Sequence, residues 1–199
     1  ASEGVISESN THPFHFEQFL MMHNGIVPGF PLIKRKLLSL LNDELFLWIK
    51  GQTDTEHIFA LFMQHMSDMK GAAPALDEEQ IKQCYQTTFD VIQQLKTEAG
   101  IGDTVSTFNM MATDGHRIFG TRYSSNPNEQ SRTLYYASGN RFECEDGVSR
   151  MVRDDSADKA VLIVSEKLSQ NTEEWIAIPN NHFIAVNRDL NVHLSPMEH

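Results

Sequence analysis

The sequence predicts an α+β fold with antiparallel sheet, because apolar residues recur at helical spacing through the first half, short runs rich in Val, Ile, Phe and Tyr fill the second, and no βαβ alternation joins them. Residues 1–18 are polar and turn-rich, with Gly4, Asn10 and Pro13. They run into Phe19-Leu20-Met21-Met22-His23, which predicts a buried strand, closed by an Asn24-Gly25 turn whose residues tolerate positive φ. Beyond the breakers Pro28, Gly29 and Pro31, apolar positions 32, 33, 37, 38, 40 and 41 predict a helix over 32–41. Thr53 and Glu56 read as a capping box, and Ile58, Phe59, Leu61, Phe62, Met63 and Met66 carry the next helix as far as Met69. Asp77 caps a further helix through Ala99. Its apolar stripe is Ile81, Cys84, Tyr85, Thr88, Phe89, Ile92 and Leu95, with Gly100 and Gly102 closing it. From residue 104 the period shortens, predicting strands at 105–112, 116–123, 133–137, 159–165, 174–178, 182–186 and 190–194, separated by turns such as Thr113-Asp114-Gly115.

At 199 residues, 40% of them hydrophobic, the chain suits one domain with a sizeable core. The balance of 16 basic against 27 acidic residues, a net charge of -11, repels phosphate backbones and anionic membranes, so nucleic acid is excluded as an expected partner. Lys34-Arg35-Lys36 is a short patch that reads as a solvated helix face. Two cysteines are too few for a disulfide framework, and free thiols fit a reducing, cytoplasmic setting. No apolar run approaches the roughly 20 residues that span a bilayer, so no membrane is expected. The chain opens on Ala1-Ser2-Glu3-Gly4, without an initiator methionine or a leading strand, and reads as one domain over residues 1–199 that is incomplete at its N-terminus.

Two short segments carry the chemistry. His23-Asn24-Gly25 delivers an amide side chain and an unhindered backbone N–H to one place, and such a pair of donors can hold the oxyanion of a tetrahedral intermediate, each worth roughly 3 to 4 kcal/mol in the transition state. Asn-Gly is also a common turn dipeptide, and taken alone the turn reading is the simpler. In Thr53-Asp54-Thr55-Glu56, carboxylates in a first helical turn complement the macrodipole, or else Asp54 points outward to receive the ammonium of an amino-acid substrate. Elsewhere the plain readings prevail. His12-x-x-His15 has metal-site spacing but no third ligand, so neither metal nor cofactor is expected. Ser165-Glu166 reads as a strand-end hydroxyl with a solvated carboxylate, and the stripe at Phe59, Phe62, Met63 and Met66 as core.

Read together, Gly4-Val5-Ile6-Ser7-Glu8-Ser9-Asn10-Thr11-His12-Pro13-Phe14, Met22-His23-Asn24-Gly25, Gly29-Phe30-Pro31-Leu32-Ile33-Lys34-Arg35, Thr53-Asp54-Thr55-Glu56 and Ala60-Leu61-Phe62 resemble, in order and spacing, the class II glutamine amidotransferases. Thr121-Arg122-Tyr123, Tyr135-Tyr136-Ala137-Ser138-Gly139, Val164-Ser165-Glu166-Lys167-Leu168, Trp175 and Pro179 extend the likeness over nearly the whole chain, toward the branch with the fungal glutathione-degradation subunit and bacterial γ-glutamyl hydrolases. The resemblance implies the four-layer αββα sandwich of N-terminal-nucleophile hydrolases, here lacking its first strands. It also implies hydrolysis of the side-chain amide of glutamine, or of a γ-glutamyl compound such as glutathione, by an N-terminal cysteine through a thioester. Carried over, Asn24 and Gly25 match the oxyanion hole, Asp54 the carboxylate that takes the α-ammonium, and Ser2 and His23 positions beside the substrate. The family's cysteine and its carboxylate-clamping arginine fall before Ala1. Cys84 lies in a helical stripe and Cys144 in a charged turn, so neither replaces that cysteine, and the chain alone is expected to be inactive. A peptidase-like or synthase protein is the partner the resemblance allows. The rival expectations are a non-catalytic γ-glutamyl-binding or scaffolding subunit and another N-terminal-nucleophile amidase, such as an acylase.

Overall fold

The computed structural model of the chain describes residues 7–71, 75–145, 148–155, 159–169 and 172–198. A six-stranded antiparallel sheet forms its centre, built from β1 (Phe14–Phe16), β2 (Phe19–His23), β3 (Thr107–Thr113), β4 (Ile118–Ser124), β10 (His182–Val186) and β11 (Val192–Pro196), in that spatial order. Helices α1 (Phe30–Leu38), α2 (Asp43–Trp48), α3 (Asp54–Lys70) and α4 (Glu78–Glu98) share one core with this sheet. Strand alternation sorts its residues: Phe108, Met110, Ala112, Phe119 and Phe183 join the helix core, while Met111 and Ile184 face the other way. There they meet a second sheet of β8 (Ala160–Val164), β5 (Tyr135–Gly139) and β9 (Ile176–Ala177), through Leu134, Tyr136, Ile163 and Ile178. The hairpin of β6 (Arg141–Glu145) and β7 (Val148–Val152) closes over the outer side of β5, where Met151 and Trp175 pack on Ala137. The α+β fold with antiparallel sheets is thus the observed one. The described residues make one helix layer and two sheets.

Aromatic packing fixes the helix layer on the sheet. Phe89 of α4 stacks on Phe108 with centroids 4.3 Å apart, and the Tyr85 hydroxyl donates to the Phe119 carbonyl at 3.3 Å. Rings buried this way contribute about 2 to 3 kcal/mol each, beyond which offset stacking adds about 1 kcal/mol. Asp77 and Gln80 complete a reciprocal capping box at the start of α4. Near its other end, the fully buried Lys96 donates to the Thr104 carbonyl and, at 2.7 Å, to the Ser106 hydroxyl, tying the loop that enters β3 to the helix. Burial lowers the Lys96 pKa to about 8. No described helix is long and apolar enough to cross a membrane.

Several boundaries differ from the sequence expectation. Helix α1 begins at Phe30 rather than residue 32, because Gly29 takes a left-handed conformation before it and Pro31 occupies the first turn, leaving Leu40 outside. The run 190–194 becomes β11 two residues later, since Leu190 has positive φ in a turn closed by Asn187 and Asn191. The run 174–178 splits into a 3-10 turn and β9. Strand β1, helix α2 and the β6–β7 hairpin have no counterpart in the expected elements.

His57, in the first turns of α3, is 1% exposed, with Nδ1–H donating to the Thr53 carbonyl at 2.8 Å and Nε2 without a hydrogen-bond partner among the described residues. Burial, outweighing the Thr53 bond, pushes its pKa down from 6.5 to about 4. Between pH 6.5 and about 4 the unfolded chain therefore binds a proton that the native state refuses, and stability falls as pH drops through that window, by about 3 kcal/mol at most. Asn at position 57 can offer an amide N–H to Thr53 but cannot titrate. Urea unfolding at pH 7 and 4.5 is expected to show a smaller acid loss for His57→Asn than for wild type; equal losses would assign the acid sensitivity elsewhere.

Candidate active site

The end of β2 runs on beyond His23 as extended chain. Asn24 N–H donates to the Asn109 carbonyl at 2.9 Å, and Ile26 and Thr107 exchange both backbone bonds at 3.1 and 3.0 Å. Neither Asn24 nor Gly25 has positive φ, so turn conformation does not account for this pair. Room does. A Cβ on Gly25 would stand 2.0 Å from the Thr107 carbonyl oxygen and 2.3 Å from His23 Nε2. Alternation in an antiparallel ladder sends the Gly25 N–H away from β3, and no described residue accepts it. The Asn24 side chain lies exposed beside it.

His23 is buried under this segment, its ring stacked near Phe108. Its Nε2 lies 3.1 Å from the Thr107 carbonyl and its Nδ1 3.1 Å from the Thr55 hydroxyl. Both ring nitrogens of His23, expected beside a substrate, thus lie within hydrogen-bond distance of protein atoms. Burial lowers its pKa, opposed by the charge of Asp54 and by the Thr107 bond. His12, half-buried, is lowered in turn by burial and by His23.

Asp54 begins α3. One carboxylate oxygen accepts the Thr55 N–H at 2.8 Å and the other accepts the Val27 N–H at 3.3 Å, which ties the helix start to the chain leaving β2. The side chain is only partly buried, which leaves it accessible to a cation. Thr53 does cap, its hydroxyl accepting Glu56 N–H at 3.3 Å, but the expected reciprocal half is absent. Glu56 instead turns its buried carboxylate to the N–H groups of Lys50 and Gly51, at 2.8 and 2.7 Å. Burial raises its pKa and those two bonds oppose the rise. Gly51 has no space for a side chain either: a Cβ would meet the Ser9 carbonyl at 2.3 Å. This packing holds the opening loop against the start of α3.

The structure thus brings His23, Asn24, Gly25 and Asp54 into one region; Ser2 lies outside the described residues. Thr55 and Thr107, which join these parts, were not singled out from the sequence. Cys84 is buried in α4 against the Met69 sulfur at 3.8 Å, its thiol pushed up to about 12 by burial and then by Asp68, and Cys144 lies exposed on β6. Among the described residues, no group of three or more His, Cys, Asp or Glu side chains could hold a metal ion.

The family model for class-II glutamine amidotransferases matches residues 1–197. The chain belongs to that family. It is 31% identical over 194 residues to Saccharomyces cerevisiae DUG3, named a probable glutamine amidotransferase. That match covers 93% of this chain and 54% of the yeast protein, so the amidotransferase chain spans about half the length of this relative. Among solved structures, a glutamine aminotransferase class-II domain protein from Silicibacter pomeroyi superposes with a TM-score of 0.70 at 18% identity, covering 96% of this chain and 72% of that one. A predicted glutamine amidotransferase from Pseudomonas aeruginosa gives 0.59 at 19%, covering 93% and 65%. At these identities the two structures attest the fold.

The nearest atom to a Cβ at Gly25 would be a backbone carbonyl oxygen, which has no flexible side chain to yield. Gly25→Ala is expected to destabilise the protein by about 3 kcal/mol or more, the upper range for overpacking, read as a lowered denaturation midpoint. A midpoint within experimental error of wild type would mean that β2 and β3 can separate at no cost.

Proposed function

We propose that this chain is the amide-hydrolysing part of a glutamine amidotransferase that takes glutamine or a γ-glutamyl compound such as glutathione. The observation that supports the reading most is the juxtaposition of an outward-directed Gly25 N–H and an exposed Asn24 amide with a partly buried carboxylate, Asp54, bonded to the same stretch of chain through Val27. Two donors facing solvent suit an oxyanion; a carboxylate nearby suits a free α-ammonium. That pairing favours an amino-acid amide over the acyl groups of other amidases. His23 supports the extended Asn24-Gly25 segment from beneath, and Ser2 is assigned to the carboxylate end by the resemblance alone.

The reading needs an attacking thiol, and neither cysteine of the chain suits: Cys84 is held protonated by burial, and Cys144 sits on the outer hairpin. In this reading the thiol is the N-terminal cysteine that the family resemblance implies, which is not among these 199 residues. Free thiols suit a cytoplasmic protein, and the resemblance allows a peptidase-like or synthase partner.

In a polypeptide that carries the thiol, Asn24→Ala is expected to lower kcat for glutamine hydrolysis by roughly 100- to 1000-fold with KM little changed, as for loss of a transition-state donor. An unchanged kcat in the folded variant would remove Asn24 from the chemistry. Asp54→Asn should act on the other parameter, weakening glutamine binding by roughly 30-fold, equivalent to about 2 kcal/mol, while Thr53 still caps α3. If the variant lost only melting temperature and kept its affinity, Asp54 would be a helix-start residue and the scaffolding reading would gain.

A further inference from the structure

The two halves of this region share one hydroxyl. Thr55, itself buried, places Oγ1 3.1 Å from His23 Nδ1 and 3.4 Å from Asp54 Oδ1. The Thr107 oxygen can only accept, so His23 carries its proton on Nε2, and the neutral ring then presents Nδ1 as an acceptor. A hydroxyl has one proton to give. It goes to His23 or to Asp54, and not to both.

We infer that Thr55 is a positioning residue that couples occupancy of Asp54 by a substrate ammonium to the fixing of His23 beneath the Gly25 oxyanion donor. The inference rests on the amino-acid reading of Asp54 given above. With no cation on Asp54, its carboxylate competes for the Thr55 proton, charged acceptors making the stronger hydrogen bonds. An ammonium on Asp54 takes over that carboxylate, and the Thr55 hydroxyl turns to His23 Nδ1. The imidazole is then held at both nitrogens. Its Nε2 fills the space that a Cβ on Gly25 would take, so a fixed ring fixes the course of the chain that carries the donor. Asp54 is the charged group that acts on His23, to which it is joined through the Thr55 hydroxyl, and His12 in turn feels His23. The chemical consequence is substrate selection in the rate itself. An amide with a free α-ammonium fixes the ring beneath the donor at both nitrogens; a des-amino amide of the same shape leaves the ring held at Nε2 alone, which lowers kcat in addition to binding.

Two measurements test this, the first without substrate. In long-range 1H–15N spectra of the 15N-labelled protein, Asp54→Asn weakens the competing acceptor and is expected to move the His23 Nδ1 resonance toward its hydrogen-bonded value. The move should persist with Ser at position 55 and vanish in Thr55→Val, which keeps shape and removes the hydroxyl. An equal move in Thr55→Val, or none with the hydroxyl present, overturns the coupling. The second measurement uses the thiol-bearing polypeptide with L-glutamine and its des-amino analogue glutaramate. Thr55→Val is expected to lower kcat on L-glutamine by up to about 100-fold with KM unchanged, to leave glutaramate turnover as it was, and to be rescued by Thr55→Ser. Equal losses on both substrates overturn the inference. Absence of any turnover would sink the proposed function, while the spectra still decide the coupling.

Discussion

One carbonyl oxygen, that of Thr107, sets the geometry on which the proposed site depends. It accepts the Ile26 N–H as part of the β2–β3 pairing and lies within hydrogen-bond distance of His23 Nε2, and it leaves no volume for a side chain on Gly25. Its own position is not left to the sheet alone. Lys96, buried in α4, holds Thr104 and Ser106 just ahead of it, and Ser106 N–H is bonded to the Ser125 hydroxyl across the sheet. A burial that lowers the lysine's pKa costs free energy, and the return is a loop fixed at Thr104 and Ser106. The donor segment is thereby pinned from two directions.

The six-stranded sheet treats its two sides differently. Toward the helices it is closed by stacked rings and methionines. On the other side the second sheet packs on β3, β10 and β11 through Met111, Ile184 and Val192, while at the β2 end Leu20, Met22 and Ile26 are 38%, 52% and 39% exposed. Asn24 belongs to this open side by strand alternation, as the even-numbered neighbour of those residues. Asp54 approaches from the helix layer, where the amide dipoles at the start of α3 favour negative charge. The proposed donors and the proposed ammonium acceptor therefore come from two different layers, each rigid, and meet where the sheet ends. Placement on regular elements rather than on free loops gives such groups their precision.

What could be read in advance divides along physical lines. Helices α3 and α4 were legible because each has a capping residue and a long apolar stripe. Helix α2 was not: it has six residues, its N-cap is Asn42, and Phe46 and Leu47 face outward, so no periodicity marks it. The β6–β7 hairpin escaped because Arg141, Glu143 and Arg150 make it polar, Glu143 pairing with Arg141 along β6 and with Arg150 across to β7, and a polar hairpin looks like a turn. At the site, Asn24, Gly25 and Asp54 stood out through motif resemblance, and their proximity is visible in the fold. Glu56 is not the cap partner its spacing suggests, because the N–H groups of Lys50 and Gly51 take its carboxylate. Thr107 gave no signal, since it contributes a backbone oxygen and any residue has one.

The pairing of β4 with β10 has a further consequence for how the chain comes together. Ile118 lies opposite Val186 and Arg122 opposite His182, so this seam closes a loop that contains the whole second sheet and the outer hairpin. The β1–β2 and β3–β4 hairpins and the α3–α4 pair join near neighbours in sequence, whereas this ladder must wait for a long excursion to return, at a loop-closure cost that local contacts do not carry. Topology of this kind slows folding, and it leaves the edge of β4 bare in any intermediate that forms first. The region proposed for chemistry depends on a longer return still, since β2 meets β3 with Leu20 opposite Thr113.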